Sequence, residues 1–403
     1  MSVNNIFSLY IDIHDSDLIP CDRNSRGVNV QNTLKAVHNY LSKMSITRVA
    51  DVTHYDRLGI AVYTATRVNV SDNQISATQG KGMCHDSAKT SALMEAVERH
   101  FCKKDLAGRY YSLDQLKQQN IRYYLPEHIE LDIHVNAKWR TAKSLLTGEE
   151  IEVPVAEFAF PYNEQSDELR KHITSSTTGV ASGNTPLEAT YQACCEVVER
   201  HFTALFYQGK IVPNKVTLDQ VYNPELCKLI RVLNKEMSLL IFDLSKSSKI
   251  PTFITLSWDD TGIMPPIFIG GQGCHVCPDV ALRRALLECA QSRVVALQGS
   301  REDLIRHGTS WHKNYSEAEA NWLNLVQAHQ ALDETSSCLS AKDTKLSTLD
   351  MMNKFVNTLP SLGLKECLIV DRRCNFEPFS VVSVLIPGLS DTYPKYIQRG
   401  EHA

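Results

Sequence analysis

A twenty-residue pattern that occurs twice constrains this chain more than any other feature. The first copy reads Gly82-Met-Cys-His-Asp-Ser-Ala-Lys-Thr-Ser-Ala-Leu-Met-Glu95-Ala-Val-Glu98-Arg99-His-Phe101. The second, 101 residues on, reads Gly183-Asn-Thr-Pro-Leu-Glu188-Ala-Thr-Tyr-Gln-Ala-Cys-Cys-Glu196-Val-Val-Glu199-Arg200-His-Phe202. Glycine opens both, and Glu-x-x-Glu-Arg-His-Phe closes both in the same register. A looser third copy, Ala281-Leu-Arg-Arg284-Ala-Leu-Leu-Glu288-Cys-Ala-Gln291-Ser-Arg293, has glutamine in place of the second glutamate. Each unit reads as a small-residue turn feeding a helix, and the copies are too widely spaced to form a solenoid.

Helical geometry limits what these carboxylates can do. Residues three or four apart share a face, so Ser91, Glu95 and Glu98 line one stripe of the first helix. In the second, Glu188 and Glu199 are almost a whole number of turns apart, with Glu196 beside Glu199. If the related helices face each other, five carboxylates converge, and like charges so placed repel unless cations neutralise them. An all-oxygen ligand set points to Mg²⁺ rather than zinc, and Mg²⁺ commonly borrows phosphate oxygens, which suggests a nucleotide. The segments Gln79-Gly-Lys81-Gly82 and Gly179-Val-Ala-Ser-Gly183-Asn184 read as glycine turns whose N–H groups approach an anion at a helix N-terminus. Lys81, Arg99, Arg200 and Arg284 would offset phosphate charge. A single Glu-x-x-Glu-Arg segment is ordinary solvated-helix decoration with internal ion pairs; the repeat in register argues for more.

Around these units the periodicity predicts helices at 31–44, 87–103, 186–209, 278–298, 316–333 and 347–358. Strands are expected at 47–52, 59–68, 138–145, 150–158, 238–244, 252–258, 264–269, 366–371 and 378–386. Thr185 is a candidate N-cap and Pro186 a first-turn proline. Asp259-Asp-Thr-Gly262 reads as a hairpin turn, 270–277 as a glycine-rich turn and 334–345 as a short polar loop. Strands and helices mix irregularly, so the fold class is α+β, a single unit over 1–403 with its core at about 26–390.

With 42 basic against 46 acidic residues and 43% hydrophobic content, disorder is excluded as a global description and no cationic field for nucleic acid exists. No apolar run is long enough for a membrane span, and Met1-Ser-Val-Asn-Asn lacks signal-peptide character, so a cytoplasmic location is expected. The twelve cysteines are scattered, and the lone Cys274-x-x-Cys277 is weak support for zinc; ordinary thiols in a reducing compartment are expected.

These residues resemble the YcaO family, which uses ATP to activate peptide-backbone amides. The signature Sx3ExxER stands as Ser91 through Glu95 and Glu98-Arg99, and NxxxEx7ExxER as Asn184, Glu188, Glu196 and Glu199-Arg200. The third region stands as Ala281-Leu-Arg-Arg284 and Gln291-Ser-Arg293. Ile46-Thr-Arg-Val-Ala-Asp-Val-Thr53, Asp56-Arg-Leu-Gly-Ile60 and Ile386-Pro-Gly-Leu389 are also similar to family sequence. The resemblance implies a mixed α/β YcaO-type fold with two repeated turn–helix units flanking a nucleotide pocket, and the cofactors ATP and Mg²⁺. It implies that Glu95, Glu98, Glu188, Glu196 and Glu199 hold Mg²⁺, and that Ser91, Asn184, Arg200 and Arg284 contact ATP, with Lys81 beside it. Arg26 and Thr33 correspond to the family's N-terminal basic and hydroxyl residues, which implies that they too bind ATP.

An amide oxygen is a poor leaving group, so attack at the amide carbon requires its conversion to a phosphate ester. A neighbouring Cys, Ser or Thr then gives an azoline by cyclodehydration, an external sulfide a thioamide and an amine an amidine. The tail Tyr393 to Ala403 departs from the proline-rich ending of many azoline-forming members, whereas 47–53 is more similar to members paired with a TfuA-like protein. The implied partners are a peptide or protein substrate and a separate protein, either a leader-binding E1-like (RRE) protein or a TfuA-like one; a homodimer is left open. Two rival readings differ in class: a non-catalytic nucleotide-binding scaffold subunit, and a carboxylate-metal phosphohydrolase for small phosphoesters.

Overall fold

The computed structural model describes residues 11–21, 26–68, 76–102, 107–162, 164–173, 176–259, 267–298, 324, 345–372 and 378–391. The expected helix at 316–333, the polar loop, the hairpin turn after Asp259 and the C-terminal tail lie outside or almost wholly outside these residues.

Among the described residues, three antiparallel sheets make up the strand content. The first is β1 (Ile46–Asp51), β2 (Val62–Arg67) and β3 (Ala77–Lys81), in that order. The second, six-stranded, runs β4 (Arg109–Tyr111), β5 (Ala137–Ser144), β12 (Leu368–Asp371), β13 (Ser380–Leu385) and β7 (Val180–Gly183), with β6 (Glu150–Pro154) also paired to β5. The third is β11 (Ile267–Cys274), β10 (Thr252–Asp259), β9 (Ser238–Asp243) and β8 (Asn214–Lys215). Among the described residues the α-helices longer than four residues are α1 (Val30–His38), α2 (His85–Cys102), α3 (Leu113–Gln118), α4 (Pro186–Tyr207), α5 (Pro224–Glu236), α6 (Pro278–Gln298) and α7 (Thr348–Thr358). The α+β reading holds. Among the described residues no helix is long and apolar enough to cross a membrane.

The repeated sequence forms strand–helix units rather than turn–helix units. Each glycine-rich segment is an edge strand of a different sheet: β3, β7 and β11. Helix α2 packs on β3 and on β7, α4 on β7 and β11, and α6 on β11 and β3, so the three units close in a ring. The glycines serve close approach. A Cβ on Gly80 would lie 2.0 Å from the backbone nitrogen of Ala92, and one on Gly273 would lie 2.2 Å from the carbonyl of Ala281. The helices answer with alanine, since Ala88 and Ala92, Ala189 and Ala193, and Ala281 and Ala285 are all fully buried. The expected turns at 79–82, 179–184 and 270–277 are therefore corrected to strand over most of their length.

Local signals place α4 as anticipated: Thr185 Oγ1 accepts the N–H of Glu188 at 3.0 Å, and proline opens the helix. Its buried face carries Tyr191 and Phe206 into the largest apolar cluster, shared with Phe242 and Phe355. Helix α1 stops at His38, short of the expected 44, although Met44 is still buried beyond it. Arg293 and Asp56, from two segments singled out above, form a buried ion pair at 2.8 Å.

Away from the repeats, Glu157 closes the turn after β6, and burial with the nearby Asp391 pushes it up to about 7. Its folded value exceeds the ordinary 4.5, so the native state holds the extra proton and stability falls as pH rises from about 4.5 through about 7. Glu157→Gln is expected to raise the melting temperature at pH 8 while leaving it nearly unchanged at pH 4.5. Equal shifts at both pH values, in thermal melts, would contradict this account.

Candidate active site

Within each Glu-x-x-Glu-Arg segment the two glutamates have different tasks. The first pairs with the arginine of its own helix: Arg99 lies 3.6 Å from Glu95, and Arg200 Nε lies 3.1 Å from Glu196. These are the internal ion pairs that a solvated helix also shows. The second glutamate crosses to the next unit in the ring. Glu98 accepts the backbone N–H and the hydroxyl of Ser182 on β7, both at 2.9 Å. Glu199 accepts the backbone N–H of Cys274 on β11 at 2.8 Å. Glu95 also accepts the N–H of Gln79 on β3 at 3.0 Å. Edge strands leave N–H groups without a ladder partner, and here carboxylates fill that place.

The result is a crowded acidic centre. Burial raises Glu98 to about 7, and Glu196 and Glu95 add to the rise against the hydrogen bonds from Ser182. Burial first, and then Glu288 and Glu196, raise Glu199 to about 8 against the opposing charges of Lys81 and Arg284. Glu288, from the third copy, is a site residue that the sequence reading passed over. It forms an ion pair with Lys81. Its register in the repeat, matching Glu95 and Glu196, was the available signal.

Glu188 stands apart from this centre. It is buried, and bonds to Arg26 at 2.9 Å and to the Asn184 amide at 3.2 Å. The hydroxyl of Thr33 donates to Asn184 Oδ1 at 2.8 Å. Arg26, Thr33, Asn184 and Glu188 thus form one connected group, although Arg26 and Thr33 are more than 150 residues from the other two. Arg284 donates to the carbonyl of Cys274 at 3.0 Å and to Gln192 at 2.6 Å. Ser91 is half-buried one turn before Glu95. The five anticipated carboxylates therefore fall into two groups, four with Glu288 and one with Arg26. Among the described residues no three His, Cys, Asp or Glu side chains could by themselves hold a metal ion.

Carboxylates raised by burial and further by one another's charge fit a hard dication that keeps water and takes its remaining ligands from phosphate. A dication would relieve the repulsion that adds to the rise of Glu98 and Glu199. The described cysteines are free thiols, and Cys274 of the Cys-x-x-Cys pair is buried.

Comparison with known proteins shows the family. The sequence profile of a family described as YcaO cyclodehydratase, ATP- and Mg²⁺-binding, matches residues 79–390. An uncharacterized protein of Methanothermobacter thermautotrophicus is 29% identical over 376 residues, which are 90% of this chain and 94% of that one. An uncharacterized protein encoded in the tfuA 3′ region of Rhizobium leguminosarum bv. trifolii is 28% identical, over 97% of this chain and 95% of its own. Among solved structures, YcaO from Methanopyrus kandleri bound with AMPPCP and Mg²⁺ superposes with a TM-score of 0.70 at 21% identity, covering 94% of each chain. The chain therefore belongs to the YcaO family and is an ATP-dependent enzyme, with ATP and Mg²⁺ as its cofactors.

Proposed function

We propose that this chain phosphorylates the oxygen of a backbone amide in a peptide or protein, so that a nucleophile can replace it. The observation that carries the reading is the pair Glu98 and Glu199, half-buried carboxylates at matching positions of two repeats, each accepting a backbone N–H from the edge strand of the next unit, with burial and neighbouring carboxylates raising both. Bound ATP with Mg²⁺ supplies the electrophilic phosphoryl group. Glu95, Glu98, Glu196 and Glu199, with Glu288 beside them, and Glu188 in the second group would hold the Mg²⁺ ions. Asn184 and Thr33 fix Glu188 through hydrogen bonds, and Arg26 balances its charge. Lys81, Ser91, Arg200 and Arg284 line the triphosphate, where fixed donors aimed at developing charge stabilise phosphoryl transfer.

The nucleophile sets the product. The tfuA-region relative favours sulfide, hence a thioamide, and a TfuA-like partner; cyclodehydration to an azoline, with a leader-binding partner, is the second reading, favoured by the description of the family. The whole chain would act as one catalytic unit in the cytoplasm.

ATP should be consumed only when the cognate peptide and partner protein are present, with a matching mass change on the peptide. Exchange of oxygen for sulfur assigns thioamidation, and loss of water assigns cyclodehydration. Hydrolysis of small phosphoesters without any peptide would instead make the chain a phosphohydrolase. Binding of Mg·ATP without turnover under any of these conditions would make it a scaffold.

A further inference from the structure

Two junctions of the ring are closed by a carboxylate on a strand N–H, Glu98 on Ser182 and Glu199 on Cys274. At the third, where α6 meets β3, the matching helix residue is Gln291 and the matching strand residue is Lys81. On α6, Glu288 pairs with Lys81, Val294 clusters with Val62 of β2, and Gln298 accepts from Thr64. Gln291 lies between Glu288 and Val294 on that stripe and so faces the same two strands.

The Lys81 N–H points off the free edge of β3. Its cross-strand neighbour Val62 gives its own N–H to Thr53 and takes the N–H of Val52, so neither group of Val62 is turned toward Lys81. Two residues back on that edge, the N–H of Gln79 is the one that Glu95 accepts. By the pattern of the other junctions Gln291 would take the Lys81 N–H. It does not: among the described residues neither that N–H nor the Gln291 amide has a hydrogen-bond partner.

Both groups remain within reach of a ligand. Gln291 is half-buried, and neither polar atom of its amide is enclosed. The side chains of Lys81, Glu288 and Glu95 are 22%, 29% and 28% exposed, so solvent enters this junction. Its carboxylates are also matched by cations, Glu288 by Lys81 and Glu95 by Arg99. The third junction is thus balanced in charge and supplied with unused N–H donors, whereas each of the others adds a second carboxylate. A metal-bound triphosphate needs both kinds of place. Its metal ions take carboxylates, and its terminal phosphoryl group, which carries the most negative charge, takes donors free of them.

We propose that the Gln291 side-chain N–H and the backbone N–H of Lys81 together seat the terminal phosphate of the nucleotide. The inference rests on the nucleotide reading above and assigns the third junction within it. Glutamine at this register then has a physical reason, since a carboxylate here would repel the group to be transferred.

Calorimetry on the full chain with Mg·AMPPCP and Mg·ADP tests the seat, because the two differ by the terminal phosphate. Gln291→Leu is expected to weaken Mg·AMPPCP about tenfold and to leave Mg·ADP within about twofold. Gln291→Glu, which keeps the shape and adds the charge of the other junctions, is also expected to weaken Mg·AMPPCP. In the wild-type chain labelled with ¹⁵N-glutamine, the Gln291 side-chain amide, assigned through either variant, should move downfield with Mg·AMPPCP and much less with Mg·ADP. Equal losses for both nucleotides, or no loss for either with a resonance that stays put, would overturn the inference. Tighter Mg·AMPPCP binding by Gln291→Glu would overturn it too, by making the position a metal site. No Mg·AMPPCP binding to the wild-type chain would instead sink the nucleotide reading itself. The wild-type spectrum stands even if the leucine variant does not fold.

Discussion

A chain carrying Glu199→Gln is expected to lose ATP turnover by on the order of 10²–10³-fold or more while melting at or above the wild-type temperature. Glutamine keeps the shape of the side chain and an oxygen that can still accept the N–H of Cys274, so the bond from α4 to β11 survives. What disappears is the negative charge. In the free protein that charge is a burden, since burial and the neighbours Glu288 and Glu196 lift Glu199 to about 8. Removing it relieves repulsion in the apo state and removes attraction for Mg²⁺ in the loaded state. Stability and activity therefore move in opposite directions, a pattern that a merely structural glutamate would not produce. Glu98→Gln should behave alike, because it too keeps its bonds to Ser182 and loses only charge. Peptide-dependent ADP release and thermal melts on both variants are the measurements. Full turnover in both would remove the metal assignment, and loss of folding in both would show that the carboxylates hold the helices rather than the ion. Glu157→Gln is the control: it also removes a raised carboxylate, one outside both acidic groups of the site, and is expected to leave turnover unchanged.

The helices of the repeats were legible because periodicity and caps are local. Thr185 and Pro186 announced the start of α4, and α2 and α6 lie within two residues of their expected bounds. The glycine segments misled for a physical reason. By local rules a glycine-rich run reads as a turn, whereas Gly80 and Gly273 are needed by a helix backbone that reaches them from elsewhere in the fold. Helix α5 was overlooked although Leu226, Leu229, Ile230 and Leu233 recur at helical steps behind an Asn223 cap. The meeting of Arg26 and Thr33 with Asn184 and Glu188 had no local trace, and the family resemblance named Arg26 and Thr33 only as ATP-binding candidates. The ring of three units was partly visible in the third copy, and giving that copy the same weight as the others would have brought Glu288 into the site.

Closure of that ring makes the largest structural prediction. Gly273→Val is expected to leave little or no folded protein, at a cost of roughly 3 kcal/mol or more. A Cβ at this position would lie 2.2 Å from the carbonyl oxygen of Ala281 and 2.7 Å from the nitrogen of Ala285, both backbone atoms that no rotamer change can move. Relief requires α6 to lift from β11, and the site shares that contact. Cys274, the next residue, donates its N–H to Glu199, and its carbonyl accepts from Arg284. A milder Gly273→Ala chain that still folds should accordingly lose Mg·ATP affinity as well as stability. Gly209→Ala is the matched control, because nothing lies within 4 Å of its added Cβ and only the positive φ of +67° opposes it, a cost of about 1 kcal/mol. Circular dichroism melts and calorimetry on the three variants decide the matter: if Gly273→Val melts like Gly209→Ala, then β11 and α6 are not packed backbone against backbone, and the three-unit ring that presents the glutamates loses its basis.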